Sequence, residues 1–252
     1  MKTPNLTFKV FLSEQRAFAE LTMDQVLEHF KTDFSESTSL FHNMLYRGSK
    51  DNTPNMTMLK AAETDRTPLI GGRFYTPLID SNPKNQGWPK RTRSTICSLA
   101  SEIAVKYTDK FTEGSKLYCV FPKNGAKIGV LPTYDMWRVQ INFPKGERSL
   151  SSTDTLLLDL LDEPGGLTTA NLLDRLNKTG NQTAMKISLM LNHSDVEDAF
   201  SLQEMGCRLV SIEEMSTVEN TGDAECWFEG PCILLRPQDA MQVKQMLKGE
   251  EE

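Results

Sequence analysis

The apolar residues of this chain come in short pieces. Met44–Arg47, Ser94–Ser98, Lys116–Phe121, Lys127–Leu131, Cys207–Ile212 and Glu225–Leu235 are short runs rich in aromatic, β-branched or aliphatic residues, and three of the six stop at Gly or Pro. Runs of this length and composition read as strands. No apolar run reaches the roughly 20 residues that cross a bilayer; the longest aliphatic patch, Leu156–Leu161, is broken by Asp159. Two local signals predict hairpins: Asn124-Gly125 between Lys116–Phe121 and Lys127–Leu131, and Gly230-Pro231 within Glu225–Leu235.

Helical spacing interrupts the strands. Phe18, Leu21, Val26, Leu27 and Phe30 recur at helical intervals, which predicts helix over Ser13–Lys31; Thr22 and Gln25 have the spacing of a capping box, which allows two short helices instead of one. Ser98 is placed to cap a helix over Leu99–Tyr107, and Pro237–Lys248 reads as a terminal amphipathic helix. The stretch 151–205 is helical in pattern, with faces at Leu156–Leu161, Thr169–Leu176, Gln182–Leu191 and Ser194–Met205. Asp51–Lys90 carries Pro54, Pro68, Pro77, Pro83 and Pro89, and reads as a long irregular loop with short strands such as Arg73-Phe74-Tyr75. The expected fold class is α+β, one domain over 1–252 with a helical insertion at 151–205.

Composition narrows the chemistry. At 252 residues the chain is long enough to bury roughly 70% of its unfolded surface without metal or disulfide support. Lys+Arg number 28 against 34 Asp+Glu, a formal charge of −6, which argues against a dedicated nucleic-acid coat. The five cysteines contain no Cys-x-x-Cys pair, and the three histidines are scattered; reduced thiols, a cytoplasmic setting and no metal centre are the expectation. The N-terminal residues show no apolar core ahead of a small-residue cleavage site, so no secretory signal is expected.

Three local features bear on function. Leu45-Tyr46-Arg47-Gly48 puts a guanidinium, a donor fork suited to diphosphate or carboxylate, at a strand end beside a turn. Ser94-Thr95-Ile96-Cys97-Ser98 offers hydroxyls at the entry to a helix. Asp223-Ala224-Glu225 sets two acids at strand spacing ahead of Cys226-Trp227. Each has a structural alternative: Arg47 paired to a surface acid, Ser98 as a helix cap, and the two acids in a solvated loop entry. A fourth stretch, Lys84, Lys90, Arg91 and Arg93 around Trp88, reads as a solvated charged loop or as a contact for phosphate or an acidic protein.

Taken in order, the first three resemble the Arg–Ser–Glu branch of the ADP-ribosyltransferase family: an aromatic-Arg-Gly block, a serine block running into a helix, and an acidic block on a late strand. Phage-encoded members are the most similar in the Leu45–Lys50 segment. Two of the blocks depart from the pattern. Ile96 and Cys97 precede Ser98 where a Ser-Thr pair is usual, and Asp223 stands where Glu or Gln is usual. The resemblance implies a pair of small sheets around a cleft that binds NAD+, with the helical subregion added to it. It implies that Arg47, with Tyr46 and Gly48, holds the diphosphate side, and that Ser98, or Ser94 and Thr95, orients the nicotinamide ribose. Trp227 or Trp88 would stack on a ring. Glu225 would stabilise the positive transition state, and Asp223 would position the acceptor. The implied activity is transfer of ADP-ribose from NAD+ to a host macromolecule, protein or nucleic acid. The alternative is a non-catalytic phage-type binding or inhibitor protein on a related scaffold.

Overall fold

The computed structural model describes residues 18–49, 53–63, 65, 72–106, 116–132, 136, 141–142, 149–150, 166–178, 180, 182–219 and 224–249. The fold is mixed α+β. Nine strands form one antiparallel sheet: β1 (Phe18–Glu20), β2 (Leu45–Ser49), β3 (Met56–Leu59), β4 (Thr95–Ser98), β5 (Lys116–Pro122), β6 (Lys127–Leu131), β9 (Arg208–Ser211), β10 (Glu225–Phe228) and β11 (Cys232–Leu235). Their order is β1-β3-β11-β5-β2-β4-β10-β6-β9, and β7 (Ile141–Asn142) with β8 (Ser149–Leu150) makes a separate pair.

The sheet has two halves that meet at a narrow joint. β2 pairs with β5 through five residues, and β4 with β10 through four. Between β2 and β4 the only register pair is Tyr46 with Ser98. The expected pair of small sheets is thus a single sheet that nearly parts between β2 and β4.

Both hairpin expectations are overturned by the pairing. β5 bonds to β2 and β11, whereas β6 bonds to β10 and β9. β10 bonds to β4 and β6, whereas β11 bonds to β3 and β5. Each turn therefore carries the chain from one half of the sheet to the other. Asn-Gly specifies a reversal only when nothing else claims its groups. Here the Asn124 side chain accepts from Glu36 N–H and donates to the Thr32 carbonyl, and Gly125 N–H donates to the Glu36 carboxylate. Gly125 sits at φ +76°, where a side chain would be strained. The two crossings touch through Lys123 N–H and the Pro231 carbonyl, 3.1 Å apart.

Helices cover the sheet. Met23–Lys31 starts at Thr22, whose hydroxyl accepts from Gln25 N–H while the Gln25 side chain accepts from Thr22 N–H, the expected capping box. Phe18–Glu20, expected as helix, is instead an edge strand paired to β3. Phe30, Phe41 and Phe121 meet with ring centroids 5.0–5.5 Å apart at the centre of one hydrophobic core. The C-terminal helix, Pro237–Gly249, buries Ala240 and Val243 in that core.

A second core lies beneath the helical subregion. Leu172 and Leu176 from Leu172–Lys178, Ala184 from Gln182–Met190, and Val196 from His193–Ala199 pack with Phe200, Leu131 and Trp227. Leu156–Leu161 lies outside the described residues. Gly72–Ser81, expected as loop with a strand at Arg73–Tyr75, is a helix with Pro77 inside it. Burial of Leu78 and Ile79 in the second core outweighs the amide donor that Pro77 lacks. Among the described residues no helix is long and apolar enough to cross a membrane.

Candidate functional site

The site grows out of the joint. Tyr46, Ser98, Glu225 and Leu131 are direct register partners across β2, β4, β10 and β6, so their side chains stand in one row on one face. Ile96, Trp227 and Gly129 form the next row on that face. The serine and the glutamate that are remote in sequence are therefore nearest neighbours, whereas Arg47 follows Tyr46 on β2, so alternation turns its side chain to the opposite face of the sheet, away from the expected shared cleft.

Arg47 is nearly buried, and its Nη1 donates to the Ile96 carbonyl at 2.9 Å, reaching across the gap between β2 and β4. Gly48 is buried beside Leu117 of β5. Tyr46 is half-buried, and its hydroxyl is pushed up by burial and then by the proximity of Cys119 and Glu102. Ser98 Oγ accepts from Ala100 N–H at 3.1 Å. The following helix, Ser101–Lys106, begins later than Leu99, so Ser98 braces the turn before the helix and is not its cap. Ser94 Oγ donates to the Lys90 carbonyl at 2.7 Å, and Thr95 is fully buried opposite Phe228. Asp223 lies outside the described residues.

Trp227 is wholly enclosed. Its Nε1 donates to the Pro89 carbonyl at 3.0 Å, and Trp88 stacks near-parallel with a centroid distance of 6.3 Å. Gly129 lies against the ring so closely that a Cβ there would stand 2.3 Å from Cε2. A ligand-stacking role for Trp227 does not fit this placement: the ring is a packing pillar. Trp88, half-buried, covers it.

The partner of Glu225 is a residue that the sequence left in a charged loop. Arg91 Nη1 lies 2.6 Å from Glu225 Oε1, and each side chain is 6% exposed. The contact is short but off the hydrogen-bond line, so Coulomb attraction is its main content. Arg91 also lies over Trp227, 5.0 Å from the ring centroid, a cation–π contact. The other oxygen, Oε2, accepts a long 3.4 Å hydrogen bond from Met136 N–H. A buried carboxylate needs such a cation, because an isolated charge in the interior is far too costly to keep.

Asp80 sets the arginine. At the end of Gly72–Ser81 its two carboxylate oxygens accept from Arg91 N–H at 2.8 Å and Thr92 N–H at 2.9 Å, fixing the turn that delivers Arg91 to Glu225. Burial pushes the Asp80 carboxyl up, and the donors from Thr92 and Arg91 pull it partly back. Beside the pair, burial drives the Cys207 thiol up to about 12, with Arg91 opposing and Glu225 adding to the shift. That thiol is not a ready nucleophile.

The basic stretch around Trp88 is largely neutralised. Three of its four cations have an acid beside them: Lys84 pairs with Asp198, Arg91 with Glu225, and Arg93 with Asp65, while at Lys90 it is the backbone N–H that donates to Glu229. It is neither a free phosphate patch nor, at Arg91, a solvated loop. Arg91 was missed because Arg-Thr-Arg beside Trp-Pro looks polar. The available signal was on the other strand: a glutamate heading the apolar run Glu225–Phe228 demands a buried cation. Among the described residues no group of three or more His, Cys, Asp or Glu side chains is placed to hold a metal ion. Comparison with family models, curated proteins and solved structures finds no match to this chain.

Proposed function

We propose that the protein is a mono-ADP-ribosyltransferase that moves ADP-ribose from NAD+ to a macromolecular acceptor. One observation carries the reading. Ser98 and Glu225, two residues of the family resemblance, are direct register partners on one face of β4 and β10 at the joint of the sheet, and Arg47 braces the same joint from the other face of β2.

In this reading NAD+ lies over the β2–β4 joint. Ser98 orients the nicotinamide ribose from the face it shares with Glu225, while Arg47, on the opposite face, ties β2 to β4 through the Ile96 carbonyl and so holds the joint instead of the diphosphate. The glycosidic bond from ribose C1′ to nicotinamide breaks, and its electron pair leaves on the ring nitrogen, turning the pyridinium into neutral nicotinamide. C1′ then carries oxocarbenium-like positive charge. The Glu225 carboxylate interacts more strongly with that charge than with the ground state, which is the condition for rate acceleration. An acceptor lone pair forms the new bond to C1′, and the proton of the acceptor passes to Asp223 or to water.

A specific observation favours a second reading. Glu225 is already engaged by Arg91, and both are buried, as in a structural ion pair of a non-catalytic binding protein. Nicotinamide release from NAD+ separates the two. The transferase reading expects turnover by the wild type and a loss of about 100-fold or more in Glu225→Gln. Equal, background-level release by both proteins refutes it.

A further inference from the structure

We infer that Arg91 is a positioning residue for the proposed transfer reaction: it turns the Glu225 carboxylate so that Oε1 faces the guanidinium and Oε2 faces the ribose. The inference rests on the transferase reading of the site and adds to it a residue that the family resemblance does not include.

The geometry is that of a supported side chain. Arg91 reaches Glu225 from outside the sheet, on the turn after Pro89, and not from a neighbouring strand. Its backbone is fixed by Asp80 through two hydrogen bonds, one to its own N–H and one to that of Thr92. Its guanidinium is fixed by the Trp227 ring, which is itself tied to the Pro89 carbonyl and seated on Gly129. This assembly delivers one cation to one oxygen. Among the described residues the second oxygen has only the long contact with Met136 N–H, which suits a group that must interact with something else. A guanidinium is also the cation least able to take a proton away from the pair or give one to it. The arrangement thus orients Glu225 without Arg91 itself becoming an acid or base in the reaction.

The electrostatics set a requirement on where NAD+ enters. A cation beside Glu225 opposes the growing positive charge on C1′, so C1′ must approach Oε2 and not Oε1 for net stabilisation to survive. Arg91 therefore selects a face of the carboxylate as well as holding it.

The test is a double-mutant cycle on nicotinamide release, using the full chain with Arg91→Met, Arg91→Lys, Glu225→Gln and the combination of Arg91→Met with Glu225→Gln. The expected result is a fall in kcat of about 100-fold for Arg91→Met with KM for NAD+ changed less than about threefold, since a misplaced catalytic group loses about that factor. In the Glu225→Gln background the same substitution is expected to change the residual rate less than about threefold, because the two residues act as one unit. Arg91→Lys, which keeps the charge, is expected to recover part of kcat, and millimolar guanidinium is expected to raise kcat of Arg91→Met but not of Glu225→Gln. If the wild type releases nicotinamide and Glu225→Gln does not, yet Arg91→Met is as active as wild type, the inference alone falls. If Arg91→Met costs the same factor in both backgrounds, Arg91 does not act through Glu225, and the inference also falls. If wild type and Glu225→Gln are equally inert, the transferase reading fails and takes this inference with it. Arg91→Lys and guanidinium addition keep the test decisive should Arg91→Met fold poorly.

Discussion

Gly129→Ala adds one methyl group to β6, directly under the pillar that supports the site. The new Cβ would lie 2.3 Å from Trp227 Cε2, 2.4 Å from Cζ2 and 2.8 Å from Cδ2. Carbon atoms in contact prefer about 3.5–4.0 Å, so the ring or the strand must yield by about 1.2 Å to clear Cε2. The ring has nowhere to go. Trp227 is fully enclosed, its Nε1 is bonded to the Pro89 carbonyl, and Trp88 and Arg91 lie against it. Overpacking of a filled core costs about 1–3 kcal/mol, and losing the indole hydrogen bond adds about 1 kcal/mol. Replacing Gly by Ala within a strand returns about 0.5–1 kcal/mol of that. The expected net loss is about 2 kcal/mol, or roughly 4–8 °C in Tm for a chain of this size. Urea unfolding followed by circular dichroism gives the number, with an unchanged m-value as the sign that the unfolded state is not the cause. Gly129→Ala combined with Trp227→Leu should lose clearly less than the two single losses together, because the second change removes the clash. A Gly129→Ala protein within about 0.5 kcal/mol of wild type would refute the account, since that is the range of an ordinary surface substitution.

Two further expectations test the elements that hold the helical subregion and aim Arg91. Asn85→Ala should cost about 3 kcal/mol or more by urea unfolding, because the Asn85 side chain donates to the Ile79 and Phe200 carbonyls and accepts from Leu202 N–H, leaving three buried groups without it; a loss below about 1 kcal/mol contradicts this. Asp80→Asn should change how stability depends on pH. Burial raises the Asp80 carboxyl, so the folded state binds the proton more tightly than the unfolded one. Its contribution is then full below its unfolded value near pH 4 and is lost as pH rises through the folded value. The stability of wild type minus that of Asp80→Asn is therefore expected to grow as pH falls through that window, and a difference that shrinks on acidification would contradict the assignment.

What could be read in the sequence was what depends on neighbours along the chain. The capping box at Thr22 and Gln25 forms, the strands Lys116–Pro122, Lys127–Leu131 and Arg208–Ser211 fall on the expected runs, and the terminal helix begins at Pro237 as expected. These rest on periodicity and capping, which act over a few residues. Strand partners were not readable. Asn124-Gly125 has the right chemistry for a reversal, but residues 32–36 claim its donors and acceptors, and the two strands separate. Helix Gly72–Ser81 was hidden behind Pro77 because its support is tertiary, through Leu78, Ile79 and the Asp80 contacts. At the site the motif residues of β2, β4 and β10 were visible as motifs, yet the cation that completes Glu225 was not. Arg91 owes its role to a turn placed by Asp80 and a ring placed by Gly129, and neither lies near Glu225 in sequence.

The paired crossings between the sheet halves bear on how the chain reaches this state. Each half draws strands from early and late parts of the sequence: β11 is inserted between β3 and β5, and β10 between β4 and β6. An N-terminal fragment ending before Ala224 would leave both gaps open at once, with four strand edges unsatisfied in the middle of the molecule. The ribbon therefore cannot be assembled in chain order during synthesis. Its last two strands act as a closing stitch, and a protein built this way is expected to fold late, slowly and as a whole.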